Sequence, residues 1–292
     1  MASQTALPGR LPFRLRKPYI PSQPKPRGQK VTIAVGVHTR KGIVLCSDSQ
    51  ITGAGYKYPD KKVFSIVPDG KADWSLGLTY SGDPEKMTRI YEQMKDCLSQ
   101  PSIEVNSEYV RTSFEAVLSE ARNAIVTHSD PDIDAICGFI DKSGKSTLFT
   151  GKNGIVSETA KWTVLGVGDA SLTRYLQKIL PINRGLQDNT TALVICAYII
   201  KQASDYIDGC GGDLQFCILR DGIAPKSSRG TMPTLKYAST LLDALLKESI
   251  LFSSGLELFE DSDLADSKTF EEKIIADIRH LRFQVESLRI KF

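Results

Sequence analysis

Residues 30–53 read KVTIAVGVHTRKGIVLCSDSQITG, and this stretch decides how the chain folds. Positions 32–37 alternate small residues with Ile and Val, which is the two-residue period of a β-strand. A polar Arg-Lys-Gly turn joins them to a continuous apolar run at 43–46, typical of a strand covered on both faces. In such a hairpin the first strand starts beside the end of the second, so we predict that Thr32 and Asp48 lie close together.

The composition is that of a soluble globular protein, with 41% hydrophobic and 24% charged residues in a chain of 292. The longest apolar runs, such as 192–200, reach about half of the roughly 20 residues that a membrane span needs. No apolar segment follows the basic N-terminus, so no secretory signal is expected. The six cysteines form no CxxC pair and lie mostly in apolar runs, which predicts reduced thiols and a cytoplasmic protein.

Residues 1–30 differ from the rest of the chain in charge and in proline content. They hold six prolines, seven Lys or Arg and no acid, which leaves 30 basic and 34 acidic residues in the remainder. Proline at this density disfavours both helix and sheet, so we expect an extended or disordered arm. It is either a propeptide or docking arm, or a solubilising tail. The mildly acidic body argues against binding to nucleic acid.

The order of predicted elements indicates the fold class. After the hairpin come strands near 61–66 and 74–80, two helices, more strands, two helices and a last strand pair from 214. This order favours an α+β fold: a four-layer αββα sandwich of two antiparallel sheets flanked by helices, over residues 31–230. Residues 231–292 form a predicted C-terminal helical extension, which either packs on the body or forms a subunit interface.

Metal and cofactor chemistry is disfavoured by the sequence. The three histidines are far apart, and the acidic stretch 130–134 lacks the Gly and the later Glu of a calcium loop. No phosphate-binding loop and no GxSxG nucleophile motif occurs. Lys62, in contrast, begins the strand after the hairpin, so its ammonium can reach the Thr32–Asp48 end of the sheet. A lysine held by a carboxylate beside a hydroxyl can polarise that hydroxyl, and cleavage before Thr32 would free an α-amine to act as the base.

The run TIAVGV through SDSQIT, followed by KKVF and SGDPEK, resembles the β-type subunit of the proteasome core particle and its bacterial relatives, which are N-terminal-nucleophile (Ntn) hydrolases. The resemblance covers about residues 31–225. It implies a threonine-type endopeptidase acting on polypeptides without a cofactor, in a ring of like subunits, and it leaves an ATPase partner open. The residues it implicates are Thr32 as nucleophile, Asp48, Lys62 and Asp205 (with Asp208 as the alternative) as supporting groups, and the Thr79 backbone as oxyanion donor.

Three departures from the family pattern keep other functions open. Thr79 stands where the family has glycine, Val167 replaces a serine, and Val31 replaces the glycine before the nucleophile. Self-cleavage at Val31–Thr32 needs a strained turn that a β-branched residue resists. The alternatives are therefore a non-catalytic, α-type assembly subunit that keeps its arm, and an Ntn amidase that acts on a small molecule.

Overall fold

The computed structural model of the chain describes residues 32–53, 56–68, 73–100, 103–123, 133–166 and 189–228, together with position 276. The predicted arm (1–30), Val31, Val167 and, apart from position 276, the predicted C-terminal extension (231–292) lie outside this set. So does the helix predicted between Gly168 and Pro181.

The described residues form two five-stranded antiparallel sheets, one small two-stranded sheet and three helices. The first sheet has the order β10-β1-β2-β11-β12, and consists of Trp162–Gly166, Ile33–Thr39, Gly42–Asp48, Leu214–Arg220 and Ile223–Ser228. The second has the order β5-β6-β7-β8-β9, and consists of Val63–Ile66, Ser75–Ser81, Asp134–Ile140, Ser146–Lys152 and Ile155–Glu158. The small sheet pairs β3 (Gln50–Gly53) with β4 (Tyr56–Pro59), and the helices are α1 (Pro84–Leu98), α2 (Ser107–Asn123) and α3 (Asn189–Tyr206).

The β1–β2 hairpin forms as the sequence predicts. Thr39 pairs with Gly42 at the turn, and Ala34 pairs with Ser47 at the other end. Gly42 has a φ of +135°, and a side chain there would lie 2.0 Å from the carbonyl oxygen of Leu219, so this turn requires glycine. Every ladder of the two large sheets is antiparallel, which confirms the predicted mixed fold with antiparallel sheets.

Three apolar clusters hold these elements together. Alternate residues of the two sheets meet in one cluster, which includes Leu45 from β2 and Ile136 from β7. The opposite face of the first sheet packs on α3, a helix that is buried along most of its length. The opposite face of the second sheet packs on α1 and α2. The Asp83 carboxylate caps α1 as expected, since it accepts the Glu85 N–H at 2.8 Å.

The sequence did not predict two short pairings. The glycines at positions 53 and 55 predict a loop, whereas β3 and β4 pair with Gly53 opposite Tyr56, and β9 is not predicted either. Each of these strands has four residues. All four residues of β4 are exposed, so it lacks the alternation of apolar and polar residues by which a strand is detected. Within the described residues, no helix combines the length and the apolar character that crossing a bilayer requires.

Candidate active site

Thr32, Asp48 and Lys62 meet at the end of the β1–β2 hairpin, and all three are fully buried. The Lys62 ammonium donates to Thr32 Oγ1 at 3.1 Å and to Asp48 Oδ1 at 2.8 Å. Its third hydrogen bond goes to the backbone carbonyl of Gln50. A lysine ammonium has three donors, so every one of them has an acceptor here. The hydroxyl, the carboxylate and the ammonium that the sequence singled out therefore form one contiguous cluster.

Backbone N–H groups hold the Asp48 carboxylate in place. Its Oδ1 accepts from the N–H of Ile33 at 3.3 Å, and its Oδ2 accepts from the N–H of Gly211 at 3.1 Å. The loop before β11 is tied to the same segment a second time, because the Gln50 N–H donates to the Gly211 carbonyl at 3.0 Å. Both carboxylate oxygens are therefore satisfied, which a buried charge requires.

Burial dominates the electrostatics of the Asp48–Lys62 pair. Loss of water raises the pKa of Asp48, against the opposing attraction and hydrogen bond of Lys62. Loss of water likewise lowers the pKa of Lys62, against the opposing effect of Asp48. Both shifts bring the proton-binding ranges of the two groups closer to neutral pH. Lys62 is thus better suited to exchange a proton with the adjacent Thr32 hydroxyl than an exposed lysine would be.

The three side chains come from two different sheets. Thr32 and Asp48 flank strands of the first sheet, whereas Lys62 directly precedes β5 of the second. Gln215, from β11 of the first sheet, joins the two. Its Oε1 accepts the backbone N–H of Lys62 at 2.8 Å and that of Val63 at 3.3 Å, and its Nε2 donates to the Asp60 carbonyl.

The main chain at Thr32 is confined by Gly166 of β10. Gly166 pairs with Ile33 and has a φ of +110°. A side chain at position 166 would lie 1.7 Å from the Thr32 carbonyl oxygen, far inside any contact distance. The absence of a side chain at Gly166 therefore allows β10 to pack directly against the first residue of the site.

Thr79 lies in the middle of the second sheet, in register with Val63 on one side and Ile136 on the other. Both neighbours belong to the cluster between the sheets, so the side chain of Thr79 lies on the same inner face. It is fully buried, and its hydroxyl has no hydrogen-bond partner among the described residues. The role of its backbone as an oxyanion donor stays a prediction.

The two aspartates considered as a second support do not join the buried cluster. Asp205 is on α3, its side chain is 47% exposed, and it pairs with Lys201 one turn earlier. Asp208 is also exposed and lies in an isolated bridge with Cys210. The backbone of Gly211, three residues further on, makes the contact to Asp48 instead.

An open cleft of about 290 Å³ lies beside the cluster. It is lined by residues that follow Asp48 and Gly211 in the chain and by the β3–β4 hairpin, among them Ser49, Gln50, Lys57, Tyr58, Gly212 and Asp213. Thr32 does not contribute to this lining. Among the residues that the structure describes, no group of three or more His, Cys, Asp or Glu side chains could hold a metal ion.

Sequence reasoning missed Gln215, Gly211 and the Gln50 carbonyl. Gln215 leaves one signal, since it is a lone amide in the strand LQFCILR and is only 4% exposed. A buried polar side chain must find partners, so this position could have been marked as a bridging residue. The two backbone groups leave none, because any residue supplies a backbone N–H or carbonyl.

Comparisons with known proteins identify the fold. No protein-family model matches the chain, and neither does any curated protein. Among solved structures, a mutant of Anbu from Hyphomicrobium sp. strain MC1 matches with a TM-score of 0.63 and 15% identity, over 76% of this chain and 99% of that one. Anbu (ancestral beta-subunit) from Yersinia bercovieri matches with a TM-score of 0.62 and 14% identity, over 80% and 99%. The chain has an Anbu-like fold.

A third match is the helical assembly of the Anbu complex from Pseudomonas aeruginosa, with a TM-score of 0.61 and 16% identity over 80% of this chain and 99% of that one. These neighbours correct the predicted resemblance. Anbu proteins are proteasome-like but form a distinct family, so the specific identification with core-particle β-type subunits is wrong. At identities this low the likeness establishes the proteasome-related fold, and the chemistry has to be argued from the site.

Proposed function

We propose that this protein is a threonine-type peptidase with an Anbu-like fold, in which Thr32 becomes the N-terminal nucleophile once residues 1–31 are removed. One observation carries the proposal: the buried Lys62 ammonium bridges the Thr32 hydroxyl and the Asp48 carboxylate. A buried ion pair contributes little net stability, and titratable groups with shifted pKa values are concentrated at functional sites. The Thr32 hydroxyl is the nucleophile that Lys62 hydrogen-bonds, whereas the nearby Cys210 thiol interacts with the pair electrostatically.

The first chemical step would be cleavage of the bond before Thr32. Thr32 Oγ1 attacks the Val31 carbonyl carbon and gives up its proton to the neutral amine form of Lys62, which the lowered pKa of this lysine makes more accessible. The C–N bond breaks, the departing nitrogen takes up a proton, and an ester between Val31 and Thr32 results. Water then hydrolyses the ester, which releases residues 1–31 and leaves a free α-amine on Thr32.

The same groups would then cleave polypeptides. Thr32 Oγ1 attacks the scissile carbonyl while the new α-amine takes its proton and delivers it to the leaving amine. Asp48 and Lys62 tune the nucleophile, and an N–H such as that of Thr79 stabilises the oxyanion. Water enters, hydrolyses the acyl ester and restores the free hydroxyl. The cleft formed by the β3–β4 hairpin and the loop before β11 gives an extended chain a path beside the site.

Several wider features belong to the same proposal. The helices packed on the outer faces of both sheets fit a complete four-layer αββα sandwich over residues 31–230, with the arm and the C-terminal extension outside it. The helical assembly of the Pseudomonas aeruginosa Anbu complex supports self-association of like subunits, in a helical arrangement rather than a closed ring. A cytoplasmic location belongs to the proposal through the predicted reduced cysteines.

A non-catalytic assembly subunit is the second candidate, and two observations favour it. Thr32 is fully buried in the full-length chain, so no substrate reaches its hydroxyl until an activating step exposes it. Thr79 also carries a side chain where Ntn hydrolases of the proteasome type have glycine, which crowds the approach to the oxyanion position.

Intact mass and N-terminal sequencing of the purified protein distinguish the two candidates. A mature N-terminus at Thr32, together with turnover of long peptides in preference to small amides, is the expected result. A chain that keeps its first residues after prolonged incubation and cleaves neither long peptides nor small amides would refute the peptidase. Cleavage of small amides alone would indicate an amidase instead.

A further inference from the structure

Gln215 is a buried amide that uses both ends of its side chain on one segment of the other sheet. Its Oε1 accepts two neighbouring backbone N–H groups, those of Lys62 at 2.8 Å and Val63 at 3.3 Å. Its Nε2 donates to the carbonyl of Asp60. Only 4% of the residue is exposed. Three backbone groups within residues 60–63, at the start of β5, are therefore bound by a single side chain of β11.

The position of Gln215 in the first sheet links it to Asp48. β11 pairs with β2 so that Leu214 lies opposite Asp48 and Gln215 lies opposite Ser47. Ser47 in turn donates its hydroxyl to the Ile33 carbonyl at 2.8 Å, next to Thr32. Gln215 is thus rigidly placed relative to the two site residues of the first sheet.

No strand ladder joins Lys62 to those residues, and the other backbone link of its segment is the Asp60 N–H, which donates to the Ser49 carbonyl at 2.8 Å. Lys62 comes from the second sheet, and apolar contacts between sheets resist separation without fixing lateral position to a few tenths of an ångström. Hydrogen bonds are directional, so they can fix the register between the sheets where packing cannot.

We propose that Gln215 is the positioning residue that keeps the Lys62 ammonium within hydrogen-bonding distance of Thr32 and Asp48. It does so because its side chain fixes the backbone of residues 60–63 to the first sheet. The inference concerns geometry, and its kinetic consequence rests on the peptidase proposed above. An amide suits this role because it supplies an acceptor for two N–H groups and a donor for a carbonyl at once. A methionine of similar size supplies neither.

The test compares Gln215→Met with Gln215→Asn and with a matched control, Gln202→Met, at a buried glutamine of α3 that is 5% exposed. Gln215→Asn keeps the amide on a side chain that is one methylene shorter and therefore does not reach the backbone of residues 60–63. It serves as a second test if Gln215→Met does not fold. The first readout is the titration of the Lys62 side chain by NMR of ¹³C-labelled lysine, assigned with Lys62→Arg. The second is kcat and KM on a long peptide.

Loss of these Gln215 contacts should let water reach Lys62, so its titration midpoint rises toward the roughly 10.4 of an exposed lysine in both Gln215 variants. It should stay at the wild-type value in Gln202→Met. In an active wild-type protein, kcat should fall about 10- to 100-fold in Gln215→Met while KM stays within about twofold, because misplacement of a catalytic group acts mainly on the chemical step.

The outcomes separate this inference from the proposed function. If the wild-type protein cleaves nothing, the peptidase fails and the NMR titration still decides the role of Gln215. If the Lys62 midpoint is unchanged in both Gln215 variants, or shifts equally in Gln202→Met, the positioning role is overturned, whatever the activity.

Discussion

The two ends of strand β1 both carry buried polar side chains, and among the described residues the buried ion pair lies at the Thr32 end. At the Thr39 end, the Thr39 hydroxyl donates to the Asn189 side chain, which in turn donates to the Lys41 carbonyl at 3.3 Å. The neighbouring His38 contacts the Ala160 carbonyl at 3.2 Å and the Ser146 hydroxyl. At the Thr32 end, the contacts are made by the Lys62 ammonium and the Asp48 carboxylate.

The neutral end, defined by Thr39 and Asn189, shows that this fold can connect its elements without ionised groups. Asn189 ties α3 to the hairpin with uncharged donors and acceptors that cost little to bury once paired. Burial of Asp48 and Lys62 costs several kcal/mol per ion, which their mutual attraction offsets only in part. The peptidase proposed above accounts for the charges at the Thr32 end, and the following predictions test that contrast.

Matched threonine substitutions at the two ends should give the largest difference. Thr32→Ala is expected to abolish removal of residues 1–31 and to reduce peptide turnover by about 10³-fold or more, because the attacking oxygen is gone. Thr39→Ala should leave processing complete and turnover within about threefold. Intact mass and initial rates measure both. Equal turnover in the two variants would show that Thr32 is not the nucleophile.

Breaking the charged pair on one side should cost more stability than any change at the neutral end. Lys62→Met leaves Asp48 buried without its cation, so we expect the free energy of unfolding to fall by about 3–5 kcal/mol. The double variant Lys62→Met/Asp48→Asn should recover most of this loss. Urea unfolding of the three proteins measures it, and a single variant as stable as the double variant would contradict the expected coupling.

Asn189→Leu should have a smaller effect and no effect on the chemistry. It removes one acceptor of the Thr39 hydroxyl, which can still donate to the Gly42 carbonyl at 3.2 Å, so we expect a loss of about 0.5–1.5 kcal/mol. Because Asn189 is at the opposite end of β1 from Thr32, kcat should stay within about twofold of the wild-type value. A large loss of turnover in a folded Asn189→Leu protein would mean that the two ends are coupled.

Substitution by valine should change the free energy of unfolding in opposite directions at Thr79 and at Thr39. Thr79→Val removes a buried hydroxyl without a described partner, so the free energy of unfolding should rise by about 1 kcal/mol. Thr39→Val removes a bonded hydroxyl and should lower it by a similar amount. Urea unfolding of both variants checks the sign. A destabilised Thr79→Val protein would reveal a hydrogen bond of that hydroxyl.

The smallest effect concerns pH. The pKa of Asp48 is raised in the folded state, so its contribution to stability falls as pH rises from about 3.9 through the folded value. The pKa of Lys62 is lowered, so its contribution rises as pH climbs from the folded value to about 10.4. Asp60 and Cys210 also face this pair. We therefore compare the free energies of unfolding of the wild-type protein and Lys62→Met/Asp48→Asn as a function of pH. Their difference should be lowest between the folded-state pKa values of Asp48 and Lys62, and a difference that does not change with pH would argue against both shifts.

The sequence was most informative where a local pattern carries the geometry. The β1–β2 hairpin follows from alternation and a glycine turn, and it alone brings Thr32 beside Asp48. The position of Lys62 at the start of the next strand predicted that it lies near Thr32 and Asp48, as the structure shows, and its catalytic role stays a prediction. Gln215 could not be paired with Lys62, because the two are joined by contacts between sheets that no local pattern encodes. Asp205 shows the opposite case. It matches an aspartate of the family in sequence, but its side chain lies on the exposed side of α3, away from the cluster.

Gly166 has a consequence for reading genetic data on this protein. A side chain there would collide with the backbone of Thr32, so nearly every substitution at 166 should displace the site without removing any reactive group. In a saturation screen scored by growth or by processing, position 166 would therefore appear among the catalytic positions. A screen of this kind ranks positions by how poorly they tolerate substitution. At Gly166 this sensitivity reflects the close packing of β10 against β1, and it does not identify a residue that transfers a proton.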